Sequence, residues 1–445
     1  MRRLLFPLLA AWSPLAEAGP TTLAPEPKRL VLDVGIVEDP ELPALQDAMV
    51  KEALARASTT FAEKFAVSPI DFQIVERSTV DVFHKRYLDI TDPDCALLFA
   101  ARYHGGGRSE LDVRKEEAKR FFERWPLESL ISFVPQESRA TVKSYDDLYD
   151  FYASHYPDTV ARIRAERTEK GSPLVDPAGS RRRSYVAWSC ALRRQPKLDV
   201  IITNTFILAD LLTEPHPHAA LGRAKIGGIA GPNPARKALR GQALLASTFG
   251  IDTSIPMLSE LDGKPATASE RAALLGTYLL AHEIAHAVFG IPDVFDHPGP
   301  CLMTSRPGES YREGLETLEK NPGPCPKCRP WIHARQLLDR AKEQIGRGEL
   351  KDALATLTVT STSTPKQLHG GYKRRMSEVS LLVAKAYAGL GRPSRAKTFA
   401  SSATSLDPSS DEAKTFLESI ERGLELASTE RRLPATQATT STRAP

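Results

Sequence analysis

The residues best suited to chemistry stand together in the stretch Ala281-His282-Glu283-Ile284-Ala285-His286-Ala287-Val288-Phe289-Gly290. This is an H-E-x-x-H pattern. On a helix, residues four apart share a face, so His282 and His286 can hold one metal ion between them. Zinc favours imidazole nitrogen, and a catalytic zinc keeps one position open for water. Glu283, beside the first histidine, can take a proton from that water and pass it to a leaving amine. This is the chemistry of peptide hydrolysis.

The flanking residues predict the helix that positions these groups. Thr267 and Glu270 have capping-box spacing. Ala272, Leu275, Tyr278, Leu279, His282 and His286 then recur at helical intervals, and Gly290 is a natural stop. Upstream, Leu30 to Val37 and Phe72 to Glu76 read as strands around a long amphipathic helix, Leu42 to Phe65. Leu198 to Phe206 reads as a buried central strand, and Ile226 to Ala230 and Gln242 to Phe249 as two more. The last is expected to be the edge strand that pairs with substrate backbone. Residues from about 108 to 170 are charged and helical by pattern, with Phe121, Phe122 and Trp125 on one apolar face and Tyr149, Phe151, Tyr152 and Tyr156 on another. Arg181-Arg182-Arg183 reads as a solvated loop.

A length of 445 residues suits two or three domains, and a net charge of +4 with both signs mixed implies no general attraction to nucleic acid. Arg2 and Arg3, the apolar run Leu4 to Trp12 and the small-x-small site Ala16-Glu17-Ala18 read as an export signal over residues 1–18. The expected product is exported, periplasmic or secreted, with no membrane span after signal cleavage. Five cysteines, Cys95, Cys190, Cys301, Cys325 and Cys328, are too few and scattered for a disulfide-stapled scaffold.

Beyond the helix, Gly290-Ile291-Pro292-Asp293-Val294-Phe295-Asp296-His297 followed by Cys301-Leu302-Met303 resembles the metzincin pattern, H-E-x-x-H-x-x-G-x-x-H with a later turn carrying a methionine. The chain departs from it in two ways: one extra residue separates His286 from Gly290, and Asp293 stands three after the glycine where that pattern has histidine. Gly-x-Pro-Asp is similar to the snapalysin and immune inhibitor A types of exported bacterial protease, in which aspartate takes the third ligand place. The resemblance implies His282, His286 and Asp293 as zinc ligands, with His297 the alternative third ligand and Asp296 a weaker one. Met303 would be the turn methionine, a packing residue.

A second resemblance is to the archaemetzincins, whose Cys-x-Met and Cys-x-x-Cys segments bind a structural zinc. Here these are Cys301-Leu302-Met303 and Cys325-Pro326-Lys327-Cys328, with His297 or His333 standing in for a missing first cysteine. A disulfide from Cys301 to Cys325 or Cys328 is the competing reading. From about 331 the pattern changes to Ala-rich helices with short turns. Gly348 and Ala353 have the spacing of Gly391 and Ala396, and Ala384, Tyr387, Ala403 and Leu406-Asp407-Pro408 follow, which resembles tetratricopeptide repeats. Asp411 to Leu426 would cap them.

The expected fold is α+β: a metzincin-like mixed sheet with an active-site helix, then an all-α repeat domain. The expected divisions are a signal peptide at 1–18, a linker at 19–28, a metallopeptidase domain at 29–305, a Cys-rich structural segment at 306–330, repeats at 331–426 and a disordered tail at 427–445. The expected function is zinc-dependent cleavage of a peptide or protein substrate, with the repeats available to a protein partner. The alternative is a zinc-stabilised, catalytically inactive scaffold acting through its repeats.

Overall fold

A computed structural model describes residues 30–67, 69–166, 179–194, 196–216, 225–232, 238–239, 241–251, 264–291, 301–303, 310–320, 323–364, 370–408 and 410–432. The chain is an α+β protein of two compact units that separate between Cys328 and Arg329.

The first unit opens with β1 (Leu30–Glu38), α1 (Asp47–Lys64), β2 (Ile70–Thr79), α2 (Val80–Tyr87) and α3 (Pro93–Ala100). A helical insertion follows: α4 (Arg108–Asp112), α5 (Lys115–Phe122), α6 (Leu127–Ile131) and α7 (Tyr145–Ala165). Then come α8 (Tyr185–Arg193), β3 (Val200–Thr203), β4 (Gly228–Pro232) and β5 (Gln242–Ser247). The unit closes with α9 (Ala268–Ala273), a π-helical segment (Leu274–Leu280), α10 (Ala281–Phe289) and α11 (Tyr311–Lys320).

The five strands form one sheet in the order β2-β1-β3-β5-β4. β1, β2, β3 and β5 run parallel, and β4 alone is antiparallel, paired to β5 with Gly228 opposite Ala246. β3 is buried at all its positions, as a β-branched run covered on both faces should be. Successive strand residues point to opposite faces. Ile201, Ile229, Ala243 and Leu245 accordingly meet α2 and α8 through Phe83, Trp188 and Leu192. The other face is covered by α1 and the continuous helix Ala268–Phe289. By length and composition that helix could cross a membrane, yet here it is a core element. Gly276 in its π segment lies so close to α1 that a Cβ there would sit 2.9 Å from the Ala53 carbonyl carbon and closer still to its oxygen. Phe61 of α1 and Phe65 just past its end stack on Phe289, with ring centroids 5.9 and 5.2 Å away.

The two apolar faces of the insertion meet in a single core. Phe122, Tyr149, Tyr152 and Tyr156 pack together and onto Phe206, Leu208, Leu212 and Phe249, which follow β3 and β5. The arginine run is not a solvated loop. Arg183 is buried and pairs with the fully buried Asp39 at 2.7 Å, and Arg182 bridges Glu41 and Asp81, each at 2.7 Å. A buried carboxylate at the end of β1 needs a cationic partner, and the run supplies it. The guanidinium of Arg183 holds Glu41 below the usual carboxylate range. Cys95 of α3 and Cys190 of α8 form a disulfide, a pairing that scattered cysteines did not suggest.

The second unit is α12 (Arg329–Gly346), α13 (Leu350–Ser363), α14 (Gly370–Gly389), α15 (Pro393–Leu406) and α16 (Asp411–Arg432). The α12–α13 and α14–α15 turns are alike. Gly348 (φ 77°) and Gly391 (φ 69°) each take the left-handed conformation that glycine adopts without strain. Each donates to the carbonyl three residues back, and the residue after each bonds the carbonyl five back. Ala353 and Ala396 are fully buried at equivalent places. α16 continues to Arg432, beyond the Leu426 expected.

Candidate metal centres

The helix carrying H-E-x-x-H begins and ends as its residues dictate. Thr267 Oγ1 accepts from Glu270 N at 3.2 Å, and Glu270 Oε2 accepts from Thr267 N at 2.7 Å, a complete capping box. Gly290 ends it with φ 61° and ψ 30°, in the left-handed region. The π-helical segment just before Ala281 was not legible in the sequence. π-Bulges add a residue to a turn and are frequent next to functional sites.

His282 and His286 present their Nε2 atoms to each other at 2.9 Å. Each ring is held from behind: His282 Nδ1 lies 2.8 Å from the Leu302 carbonyl, and His286 Nδ1 lies 2.6 Å from the Ile291 carbonyl. A carbonyl oxygen only accepts, so each Nδ1 carries the proton and donates it. With both Nδ1 protons committed to carbonyls, the two Nε2 atoms are left facing one another, an arrangement in which a cation can be shared between them. Two nitrogens on a tetrahedral zinc would stand about 3.3 Å apart. The observed spacing is a few tenths of an ångström shorter, within reach of small ring rotations. A backbone carbonyl behind each imidazole is the usual way a metal-binding histidine is fixed in tautomer and direction.

Glu283 is partly buried against the first residue of β4. A Cβ added to Gly228 would fall 2.6 Å from Glu283 Cγ and 2.6 Å from Cδ, and closer still to Oε1. The strand at the sheet edge beside the histidines is therefore β4. The expectation that Gln242 to Phe249 is the edge is corrected: β5 lies between β3 and β4. The two runs are similar in length and apolarity, and pairing order is a tertiary property.

The approach to β4 is anchored by a lysine that the sequence reading passed over. Lys225 is buried, donates to the Phe249 carbonyl at 3.1 Å and bonds the Tyr311 hydroxyl. Tyr311 is buried at the start of α11 and packs with Leu279 and Leu315. The only signal for Lys225 in the sequence was a cation directly before an apolar strand.

The second cluster is Cys301, Cys325 and Cys328, all buried, with their sulfurs within 4.8 Å of one another. Cys328 Sγ lies 3.9 Å from Cys301 Sγ and 3.8 Å from Cys325 Sγ, so neither expected disulfide is formed. The backbone N–H groups of Met303 and Cys325 point at Cys301 Sγ from 3.4 and 3.2 Å. Burial, sulfur spacing and N–H donors all suit a bound divalent metal. The hydrogen bond with Cys301, together with burial, pushes the Cys328 thiol up. Met303 is fully buried.

Asp293, Asp296 and His297 lie outside the described residues. His333 is exposed on α12, in the other unit. Comparison with protein-family models, with curated proteins and with solved structures finds no match to this chain.

Proposed function

We propose that this chain is an exported zinc metallopeptidase of metzincin type, carrying tetratricopeptide-like repeats as an interaction module. The observation that carries the reading is the facing pair of Nε2 atoms on His282 and His286, each Nδ1 held by a carbonyl, with the Glu283 carboxylate one residue away. His282 and His286 would hold the ion, with Asp293, or His297 in its place, as third ligand. A zinc ion here would polarise a scissile carbonyl and lower the pKa of water at its open position. Glu283 takes up a proton and returns it to the leaving amine. β4, at the end of the sheet beside this helix, offers an outer edge to the backbone of an extended peptide, the mode by which strands bind peptides.

Other features support the remaining parts. The Cys95–Cys190 disulfide suits an oxidising compartment, as does the signal-like start. Three neighbouring thiols left unbridged in a chain that also forms that disulfide support a structural zinc at Cys301, Cys325 and Cys328, completed by His297. The matched turns at Gly348 and Gly391 and the buried alanines after them support a helical repeat.

Glu283→Gln tests the reading. Zinc per chain is measured in the purified mature protein, and cleavage of an unfolded protein substrate is followed. The expected outcome is about two zinc per chain in both proteins and a loss of cleavage of about 10²–10⁴-fold in the variant. Unchanged cleavage with intact folding would sink the enzyme and favour a zinc-stabilised scaffold.

A further inference from the structure

We propose that Gly228 is the positioning residue for Glu283: the bare backbone at the start of β4 leaves room for the carboxylate, and any side chain there displaces it from the histidine pair. The inference rests on the peptidase reading above and names a residue that motif reading does not reach.

The two backbones that face each other here cannot separate to make room. On one side, Gly228 is paired with Ala246 of β5, the Gly227 carbonyl accepts from Ser247 N at 2.7 Å, and Lys225 ties the preceding turn to the Phe249 carbonyl. On the other side, α10 is held through Phe289 stacked on Phe61 and Phe65, and through the π segment with Gly276 against Ala53. Between them stands the Glu283 side chain, whose Cγ and Cδ would each lie 2.6 Å from a Cβ at residue 228. That is about an ångström inside normal contact between carbon atoms. The side chain is the flexible partner, so it moves and the fold does not. The neighbouring glycine differs: a Cβ on Gly227 would first meet Leu279 Cδ2 at 3.2 Å and does not touch the carboxylate.

Displacement of a reacting group by about an ångström costs on the order of 10²-fold in rate. Gly228→Ala is therefore expected to keep the wild-type zinc content and unfolding temperature while kcat falls on the order of 10²-fold, and Gly227→Ala to leave kcat within about twofold. The discriminating comparison is Gly228→Ala in a Glu283→Ala background. If glycine acts through the carboxylate, the double variant loses nothing beyond Glu283→Ala alone; a general structural role would make the losses multiply. Acetohydroxamate affinity, read by calorimetry on the same four proteins, gives the same cycle without requiring turnover, because the hydroxamate binds zinc and bonds the glutamate. A drop in affinity on Gly228→Ala that vanishes without Glu283 supports the proposal. Gly228→Ala with unchanged kcat and hydroxamate affinity, or losses that multiply in the double variant, overturns it. Wild-type protein that binds zinc and acetohydroxamate but cleaves nothing defeats the peptidase reading alone, since the binding cycle still decides the role of Gly228. Wild-type protein without zinc defeats both.

Discussion

His282 and His286 come from one turn of one helix and are partly open to solvent, whereas Cys301, Cys325 and Cys328 come from two separate segments and are buried. The histidines bind a metal through an uncharged imidazole nitrogen and flank a carboxylate residue, whereas the cysteines must lose protons to bind. An open set with a proton carrier at hand suits turnover. A closed set that joins distant segments suits folding. The two sets also touch through the chain. Cys301 belongs to the thiol cluster, and the next residue, Leu302, supplies the carbonyl that fixes His282 at 2.8 Å. A metal on the thiols would thus hold the orienting group of the histidine site.

This contrast sets the largest expected effect. Cys328→Ser should cost roughly 4 kcal/mol or more in unfolding free energy with loss of one zinc per chain. Through Leu302 it should also weaken zinc at the histidines by about 10–100-fold. Denaturant unfolding with elemental analysis checks both, and a variant with an unaltered midpoint would break the comparison. Graded chelation should separate the sites as well. The solvent-open ion should leave first and take cleavage with it, while the unfolding temperature drops only when the buried ion follows. Simultaneous loss would mean that the sites are not distinct.

Smaller changes probe dependence on one helix. Gly276→Ala meets the backbone of Ala53, not a flexible side chain, and should destabilise by about 1–3 kcal/mol. Its effect should exceed that of Gly228→Ala on stability and fall below it on kcat. Thr267→Ala removes half of the capping box and should cost ~1 kcal/mol, seen in thermal unfolding, with the thiol cluster unaffected.

The helix carrying H-E-x-x-H was legible because its signals are local. The capping pair, the apolar period and the terminal glycine each act within a few residues, and the histidine spacing is fixed by helical geometry. The β-α-β opening and the change to paired helices after the last cysteine were legible for the same reason. Arg183 was misjudged because its partner Asp39 is far away in sequence and the buried end of β1 is visible only once the sheet is assembled. The edge strand was misplaced because β4 and β5 differ in pairing order and not in composition. Cys95 and Cys190 gave no sign of pairing, since a disulfide between two helices follows from how those helices pack.

By itself, the sequence determined which side chains could bind metal and that two of them would share one helical face, because covalent spacing and helical pitch decide that much. Tertiary structure alone decided which carbonyls turn the imidazoles, which strand lies against Glu283, and that Cys95 meets Cys190. Those outcomes depend on contacts between residues far apart in the chain, whose energies exist only when the sheet, the core helix and the segments beyond it are packed together.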